Sequence, residues 1–562
     1  MASLQKRKSK GGNYYWYIVE SKRIKGKPTP IVVAYLGTVE NILNKFTGTN
    51  NVKDSSDKKY KSYMHGSVTI LWEIAKKLGV HKILDSVFPD NKRNELSKGT
   101  SILLAAIQRA IEPGSKREFS EWSQSTTLPS IAKFDPLKMT SQHFWEQMDG
   151  ISENMLIDAE DQIIKAIFEK YNFNPEKIAL DYTNYFTYID SGNEKSTLSK
   201  RGHNKQKRND LRQFSLALFT TKEMMLPLCS YVYEGNINDF TVFPKYFKML
   251  KERIAKYSNN SDITIIFDKG SVSKDNLNQF EEPESNFKYI CSFSFKSCKE
   301  LLNIPLESYY ITKARNNDIL TYRIKKTIWN KERDCILIFS ENLKEGQLRG
   351  FQNDLSKKID DLVALREQIK NEKSKISKKS SDIQNKVKNI IKDGDFADII
   401  NIKYIGKRII KDIQYTIDEE VMKAILKDFG KKLMITNKFD WSTEEIIQTY
   451  LEQSNIEDIF KDTKNPKHFA IRPQFHWTDS KVRVHTFCCL LGMMLTVIAR
   501  KELMDTGIKV ENDRLIEILS QIRQMYVLKA NKKKKSGFDV DTELEEMSAE
   551  QSDIWLKLYK KI

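Results

Sequence analysis

The sequence lacks the features that mark a membrane protein, a secreted protein or a structural zinc protein. Its six cysteines include no C-x-x-C pair, so we expect a reduced chain without structural zinc. The longest apolar run, Phe487 to Ala499, has 13 residues, which is too short to span a bilayer and predicts a buried core helix. The N-terminal residues show no apolar stretch followed by a cleavage site, which argues against secretion. No glycine-rich phosphate loop occurs, so ATP is not implied. We therefore expect a cytoplasmic protein.

Acidic residues are fewer than basic ones: 75 Asp and Glu face 93 Lys and Arg, which gives a formal net charge of +18. An excess of this size predicts a polyanionic partner. Because no membrane-spanning segment is predicted, nucleic acid is the favoured polyanion. The chain is 40% hydrophobic and 10% aromatic, which is enough to build a core. At 562 residues it is too long for one compact core, so three or four structural units are expected.

The first part of the chain predicts a basic β unit followed by helices. Residues 1–48 contain two strand patterns, and the first 30 residues carry eight basic side chains against one acid. This charge fits either a solvated hairpin with a basic tail or a DNA-contacting arm. Residues 49–60 predict a linker, and residues 61–170 predict a helical region. Its short helices suit a helix-turn-helix and make this a candidate DNA-binding region, but most short helical pairs belong to an ordinary helical core.

The periodicity changes at about residue 171, where an α/β unit with a mixed sheet is predicted over residues 171–300. Residues 301–432 predict an insertion that includes a helical arm over residues 351–392. Apolar residues recur in the arm every seven positions, but the companion row is polar in its middle, so a continuous coiled coil and a helical hairpin both remain open. Residues 433–510 and a C-terminal region, 511–562, follow.

Three acids stand out because of where the predicted elements place them. Asp181 lies within the first strand of the α/β unit, and Asp268 directly follows an apolar strand. Glu457 lies on a helix predicted over residues 443–463, which Ser442 opens with a capping-box spacing to Glu445. Carboxylates that converge from such elements can bind hard divalent cations. Taken singly, each acid is more simply interpreted as a strand-end cap or a surface charge.

The residues around these acids resemble the DDE transposases of bacterial insertion sequences, in the superfamily with a Tyr-Arg-Glu-Lys signature. The signature spacing, Y-x2-R-x3-E-x6-K, falls on Tyr450, Gln453, Glu457 and Lys464, with glutamine in place of arginine. Accompanying segments resemble the family in the same order along the chain. They are Arg201–Gln213, Glu234–Asn236 with Asp239, Ile265–Gly270, Phe429–Asn437, and Ile471–Trp477 running to His485.

The resemblance implies a ribonuclease H-like core whose second and third acids are separated by the insertion. Residues 171–300 would form the first part of this core and residues 433–510 the second. It implies that Asp181, Asp268 and Glu457 are the catalytic, metal-binding triad. The expected cofactor is Mg²⁺, with Mn²⁺ as substitute, in a two-metal site that promotes phosphodiester chemistry. Tyr450 and Lys464 are expected to contact transposon-end DNA, and Gln453 occupies the position of the family's DNA-contacting arginine. Glutamine is neutral, so it cannot offer the charged fork of arginine.

Further basic residues lie beside the predicted site, in the loop over residues 200–212. Arg201, Lys205, Lys207 and Arg208 are predicted to bind the phosphate backbone, although a solvated hairpin would carry the same charges. Trp329, in the insertion, fits base stacking or ordinary packing. The run Lys532–Lys535 predicts a solvated loop. His203, His476 and His485 show no metal-ligand spacing and are expected to make hydrogen bonds or to pack.

Together these features predict a transposase that cuts the ends of its mobile element and joins them to target DNA. Its partners would be double-stranded DNA, as transposon ends and target, and a second copy of the chain in a homodimeric synaptic complex; no membrane is involved. Two alternatives remain open. One is a metal-dependent nuclease that cleaves without strand transfer, and the other is a catalytically inactive DNA-binding protein derived from a transposase.

Overall fold

The computed structural model divides the chain into two compact units. The first comprises Met1–Ile265 and Gln453–Ile562, and the second comprises Ile266–Glu452. His203, Lys205, Lys207 and the Lys532–Lys535 run lie outside the described residues. The structure describes residues 2–8, 14–24, 27–37, 58–89, 96–202, 208, 210–258, 262–282, 285–315, 317–472, 474, 476–530 and 538–561.

The first unit opens with a three-stranded antiparallel sheet in the order β1-β2-β3. The strands are β1 (Ala2–Lys8), β2 (Tyr14–Ile24) and β3 (Lys27–Gly37). β2 and β3 match the two predicted strands, whereas the expected basic tail is itself a strand, with Leu4 opposite Ile18. Lys6 lies over the Tyr14 ring, 4.0 Å from its centroid, so aromatic residues of β2 partly accommodate the charge of β1.

A fourth strand and seven helices follow. β4 (Lys58–Met64) covers the end of the predicted linker and the start of the predicted helical region. Gly79, with φ of 67°, follows the first helix, as its position after the apolar pattern predicts. This helix is mostly buried, which favours the core interpretation over an exposed helix-turn-helix. The helices are α1 (Gly66–Lys77), α2 (Val80–Val87), α3 (Lys98–Ile111), α4 (Phe119–Gln124), α5 (Leu128–Ala132), α6 (Ser141–Gln147) and α7 (Glu153–Tyr171).

The α/β part of the first unit follows the predicted pattern closely. Its strands are β5 (Lys177–Thr187), β6 (Arg212–Thr221), β7 (Pro227–Glu234) and the beginning of β8 (Ile263–Phe267), with α8 (Asp239–Tyr257) before β8. β5 and β6 are antiparallel, with Asp181 opposite Leu218, and β6 pairs with β7. The chain passes into the second unit within β8.

The second unit contains a sheet in the order β10-β11-β12-β15-β9. Each strand in this order pairs with the next in antiparallel direction. Three of the strands, β10 to β12, fall in the predicted insertion and were not expected there. The elements up to β12 are α9 (Lys274–Asn278), β9 (Phe287–Phe293), β10 (Tyr310–Ala314), β11 (Asn317–Ile328) and β12 (Lys331–Phe339).

The helical arm is a hairpin rather than one continuous helix. α10 (Glu341–Lys370) and α11 (Ser380–Ile391) are followed by α12 (Phe396–Ile399) and a two-stranded ribbon, β13 (Ile400–Ile405) with β14 (Asp412–Ile417). Buried side chains of these elements form a core of their own, which includes Leu362, Ile369 and Ile383 of the seven-residue row. The hairpin alternative is therefore confirmed. The unit ends with α13 (Glu419–Leu426), β15 (Lys431–Thr436) and α14 (Thr443–Leu451).

The returning chain completes the first unit. The predicted helix over residues 443–463 is wrong in its continuity, because α14 ends at Leu451 and α15 (Ser454–Asp462) begins three residues later. The predicted capping box of Ser442 and Glu445 is confirmed. The remaining elements are α16 (Asp479–Met504), α17 (Asn512–Ser520), β16 (Arg523–Ala530), β17 (Phe538–Leu544) and α18 (Ala549–Tyr559). β16 pairs with both β17 and β4.

α16 is the core helix predicted from the longest apolar run. It has the length and hydropathy of a membrane span, but 94% of its apolar window is buried inside the protein. It packs on α3, and a Cβ added at Gly492 would lie 2.5 Å from the Ala106 carbonyl oxygen, so glycine allows this close helix approach. The six cysteines are free and buried.

The mixed α/β class predicted from the sequence is confirmed, with a large mixed sheet. The finer expectation of a ribonuclease H-like core remains a prediction.

Candidate nucleic-acid processing site

Asp181 lies in the first unit on β5, the strand on which the sequence analysis placed it. Its side chain is partly buried, and Oδ1 accepts a hydrogen bond of 2.8 Å from the backbone N–H of Tyr182. Side chains two residues apart share a face of a strand. Asp181 therefore shares its face of β5 with Thr183 and Tyr185. Contacts made to these two residues show which other parts of the first unit lie on the Asp181 face.

Lys464 lies on that face. Its Nζ donates a hydrogen bond to the Thr183 hydroxyl, and it lies over the Tyr185 ring, 5.7 Å from the centroid. The hydroxyls of Tyr185 and Thr463 are 2.6 Å apart, which fixes the segment that carries Lys464 against β5. Burial raises the pKa of the Tyr185 phenol well above its ordinary value. The structure thus brings the signature lysine to the strand of Asp181.

Gln453 and Glu457 lie at the start of α15, which packs near β5. The Gln453 side chain is 9% exposed, and its Nε2 donates a hydrogen bond of 3.4 Å to the backbone oxygen of Leu180, next to Asp181. A neutral amide is well suited to this buried place, because it leaves no charge to compensate. Glu457 lies in the first turn of the same helix and is exposed.

Asp268 and Tyr450 meet in the second unit. Asp268 is exposed and follows β8, as predicted. Tyr450 is only 6% exposed, and its hydroxyl donates a hydrogen bond of 2.7 Å to Asp268 Oδ1. Burial, followed by the negative charge of Asp268, raises the pKa of Tyr450 well above its ordinary value. The phenol therefore stays protonated and serves as a donor to this carboxylate.

Lys432, on β15, completes this contact and was missed by the sequence analysis. Its Nζ donates to the Tyr450 hydroxyl oxygen across 3.0 Å and lies over the Tyr450 ring, 4.3 Å from the centroid. Burial lowers the pKa of Lys432, and the charge of Asp268 acts in the opposite direction. The available signal was a pair of lysines, Lys431 and Lys432, directly before the apolar residues 433–435.

The basic loop is only partly described. Arg201 is exposed and donates to the Ser191 hydroxyl across 3.3 Å. Arg208 forms two hydrogen bonds with Asp210, of 2.8 and 2.7 Å. Arg212, at the end of the loop, donates to several backbone carbonyls, including that of Asp190 at 2.7 Å. Arg212 therefore holds the loop together, and the phosphate contacts predicted for Arg201 and Arg208 remain predictions.

The histidine interpretation is confirmed for the two described residues. His476 and His485 are buried, with ring centroids 4.9 Å apart. His476 Nδ1 bonds Gln474 Oε1 at 2.9 Å, and His485 Nε2 bonds the Ile471 carbonyl at 3.1 Å. Burial lowers the pKa of His476 to about 3. Trp329 makes an edge-to-face contact with Phe293, at 5.3 Å between centroids, which fits the packing interpretation.

The predicted metal ligands have the chemistry that a divalent cation requires, but the structure does not bring them together in one group. Asp181, Asp268 and Glu457 offer only carboxylate oxygens, the donors that Mg²⁺ prefers. Within the part of the chain that the structure describes, however, no group of three or more His, Cys, Asp or Glu side chains could hold a metal ion. The three acids are also distributed over both units, with Asp268 in the second.

Comparisons with known proteins yielded one weak structural similarity and no sequence match. No protein-family model and no curated protein matches the chain. Among solved structures, the chain is similar to a piggyBac transposase in a cryo-EM synaptic complex with hairpin DNA. The sequence identity is 8%, the match covers 81% of this chain and 78% of that chain, and the TM-score is 0.35. A similarity at this level carries no argument about what this chain does.

Proposed function

We propose that this protein is a DNA transposase that cleaves the ends of its mobile element and joins them to target DNA. The observation that carries the proposal is local: the signature residues contact the predicted catalytic acids or their strand. Tyr450 bonds Asp268 directly, and Lys464 lies on the face of β5 that carries Asp181. Gln453 bonds the residue before Asp181. The net charge of +18 agrees with a polyanionic substrate.

The residues have distinct roles in this proposal. Lys464 offers a positive point charge to a DNA phosphate on the Asp181 face. Tyr450 orients the Asp268 carboxylate, with Lys432 holding the phenol from its other side. Gln453 packs the start of α15 against β5, and Glu457 extends from that helix into solvent. In the first proposed step, water breaks a phosphodiester bond at the element's end and frees a 3′-hydroxyl. In the second, this hydroxyl attacks a phosphodiester of the target strand, so that a new P–O bond forms while the bond to the target's own 3′-oxygen breaks and that oxygen leaves as a hydroxyl.

The proposal includes Mg²⁺, or Mn²⁺ in its place, as the cofactor. Asp181, Asp268 and Glu457 are the residues that would hold it, and a bound divalent cation would stabilise charge on the reacting phosphate. Because the described residues do not form a three-acid group, the metal requirement rests on the donor chemistry and the motif spacing. A ribonuclease H-like core, double-stranded DNA partners and a homodimeric synaptic complex belong to the same proposal.

Cleavage of the element's own end sequences by the full chain tests the proposal. We expect Mg²⁺- or Mn²⁺-dependent nicking that Asp181→Ala, Asp268→Ala and Glu457→Ala each abolish while DNA binding persists. Asp458→Ala is the matched control, because Asp458 is the exposed neighbour of Glu457 on the same helix. Absence of nicking and joining by the unmodified chain, or full activity in the three variants, would contradict the proposal.

A further inference from the structure

The far end of the helical arm carries an unusual concentration of positive charge. We define the arm tip as residues 371–379, which connect α10 to α11, together with residues 403–411 around the turn of the β13–β14 ribbon. The first segment has four lysines and one glutamate, and the second has four basic residues and no acid. In the whole chain, by contrast, 93 basic residues face 75 acidic ones, so acids offset most of the basic charge outside the tip. The basic residues are Lys373, Lys375, Lys378, Lys379, Lys403, Lys407, Arg408 and Lys411.

These charges face solvent, and no described carboxylate pairs with them. Seven of the eight side chains are exposed, and Lys378 is partly buried, donating to the Asn371 carbonyl across 3.3 Å. Within the part of the chain that the structure describes, none of the eight forms an ion pair. The nearby Asp412 instead pairs with Arg366 at 2.7 Å and Lys370 at 3.3 Å. The tip is therefore a surface with unneutralised positive charge.

The backbone holds the two basic segments side by side although their charges repel. Ile410 N–H donates to the Lys378 carbonyl across 2.8 Å, and Ser380 N–H donates to the Arg408 carbonyl across 3.0 Å. Gly406 has a φ of 117°, and a Cβ there would lie 2.1 Å from the Ile409 carbonyl oxygen. The turn thus requires glycine. Because the fold fixes like charges close together, it preorganises a site for an anionic partner.

One apolar side chain projects from this basic surface. Ile409 is 60% exposed, whereas Ile410, next to it, is 1% exposed and belongs to the core of the arm. The bridge between Ile409 and Lys379 fixes this alternation, so Ile409 points outward between lysine and arginine side chains. Proteins that insert an apolar side chain into a DNA groove commonly surround it with lysine and arginine, and Ile409 has such surroundings.

We propose that the arm tip binds the phosphate backbone of duplex DNA, with Ile409 in contact with the groove. The assignment to DNA rests on the proposed function, whereas the requirement for a polyanion rests on the tip alone. The α10 helix, with 30 residues, is about 45 Å long. The tip therefore lies at the end of a long arm, and none of its residues is among those predicted to bind DNA from the sequence.

Binding of the full chain to a random-sequence duplex, in EDTA and over a range of KCl concentrations, tests this inference. The tip variant is Lys375→Ala/Lys407→Ala/Arg408→Ala, which removes three exposed charges. The control variant is Lys357→Ala/Lys386→Ala/Lys388→Ala, which removes three exposed lysines elsewhere on the same arm. Fluorescence anisotropy gives the affinity, and the slope of log affinity against log salt counts the phosphate contacts.

We expect the tip variant to bind about tenfold more weakly at 0.15 M salt, with a salt slope smaller by about 1 to 3. The control variant should keep the affinity and slope of the unmodified chain. Ile409→Ala should weaken binding without changing the slope, because an apolar contact releases no counterions. Equal melting temperatures of all the proteins will show that these exposed substitutions leave the fold intact.

The outcomes separate the inference from the proposed function. If the unmodified chain binds duplex DNA and the tip variant behaves like the control variant, the inference is wrong and the proposed function stands. If the unmodified chain binds no DNA, both are wrong. A tip-dependent preference for an RNA duplex or for anionic vesicles over DNA would overturn the assignment to DNA. Tip-dependent DNA binding without any cleavage would support the inference alone.

Discussion

The Tyr450 hydroxyl donates a hydrogen bond of 2.7 Å to the carboxylate of Asp268, while Lys432 donates to the same hydroxyl across 3.0 Å. The sequence analysis predicted that Tyr450 contacts DNA. In the structure its side chain is 6% exposed and its polar atom is directed at a predicted catalytic acid. This gives Tyr450 a second role, as the residue that positions Asp268.

Tyr450→Phe removes this hydrogen bond and keeps the buried ring. We expect a loss of stability of about 1 kcal/mol and a fall in the cleavage rate of roughly 10- to 100-fold, as for other residues that orient a metal-binding carboxylate. The fall should appear in kcat more than in KM, because a positioning residue acts on the reacting geometry. Tyr188→Phe is the control, since Tyr188 is 79% exposed. Cleavage kinetics that do not change in Tyr450→Phe would show that Asp268 does not need the phenol.

The half-buried carboxyl of Asp462 should make stability depend on pH. Burial, followed by the nearby charges of Asp513, Asp458 and Glu511, raises the pKa of Asp462 from 3.8 to about 7, and Arg500 opposes this rise. Between these values the folded state holds a proton that the unfolded state releases. The contribution of Asp462 to stability is therefore present at low pH and is lost as the pH rises from about 4 to about 7.

Asp462→Asn should remove this dependence, because asparagine stays neutral. We expect the variant to be more stable than the unmodified protein at pH 8 by about 1 to 3 kcal/mol. At pH 4 the two proteins should be nearly equal. Urea unfolding at both pH values measures the difference, and a stability gap that does not grow with pH would contradict the assignment.

Alanine at two glycine positions should change the stability of the protein in opposite directions. A Cβ at Gly492 would lie 2.5 Å from the Ala106 carbonyl oxygen, in the packing of α16 on α3, so Gly492→Ala should destabilise the protein by about 1 to 3 kcal/mol. Gly346 lies exposed on α10, and a Cβ there meets nothing within 4 Å. Gly346→Ala should stabilise the protein by about 0.5 to 1 kcal/mol. Thermal unfolding of both variants measures the two signs, and equal shifts would refute the packing argument.

Sequence patterns correctly predicted those strands and helix ends that neighbouring residues determine. β5 and β8 were predicted because each is a run of strand-forming residues bounded by polar or turn residues. The capping box of Ser442 predicted the start of α14 correctly. β4 was missed because its partner, β16, lies more than 450 residues away, with Met64 opposite Arg523. No local pattern reports such a pairing.

For the candidate site, too, the sequence predicted some residues, whereas others became apparent only from packing. Asp181 and Asp268 stood out by their positions in predicted strands, and the family resemblance supplied the signature residues. The structure brings two of these, Lys464 and Gln453, to the strand of Asp181. Spacing could not show that Tyr450 is buried or that Lys432 supports it, because both follow from packing between β15 and α14. The break between α14 and α15 was also invisible, since residues 443–463 keep a helical period throughout.

Strand transfer is the measurement that tests the central claim most directly. The full chain is incubated with Mg²⁺, a duplex that carries the element's pre-cleaved 3′-hydroxyl end, and a target plasmid. A transposase predicts covalent joining of the end to the plasmid, lost in Asp268→Ala and retained in Asp458→Ala. Cleavage of intact ends without any joining would identify a nuclease instead. DNA binding with neither cleavage nor joining would identify an inactive DNA-binding protein, and either result would contradict the proposed function.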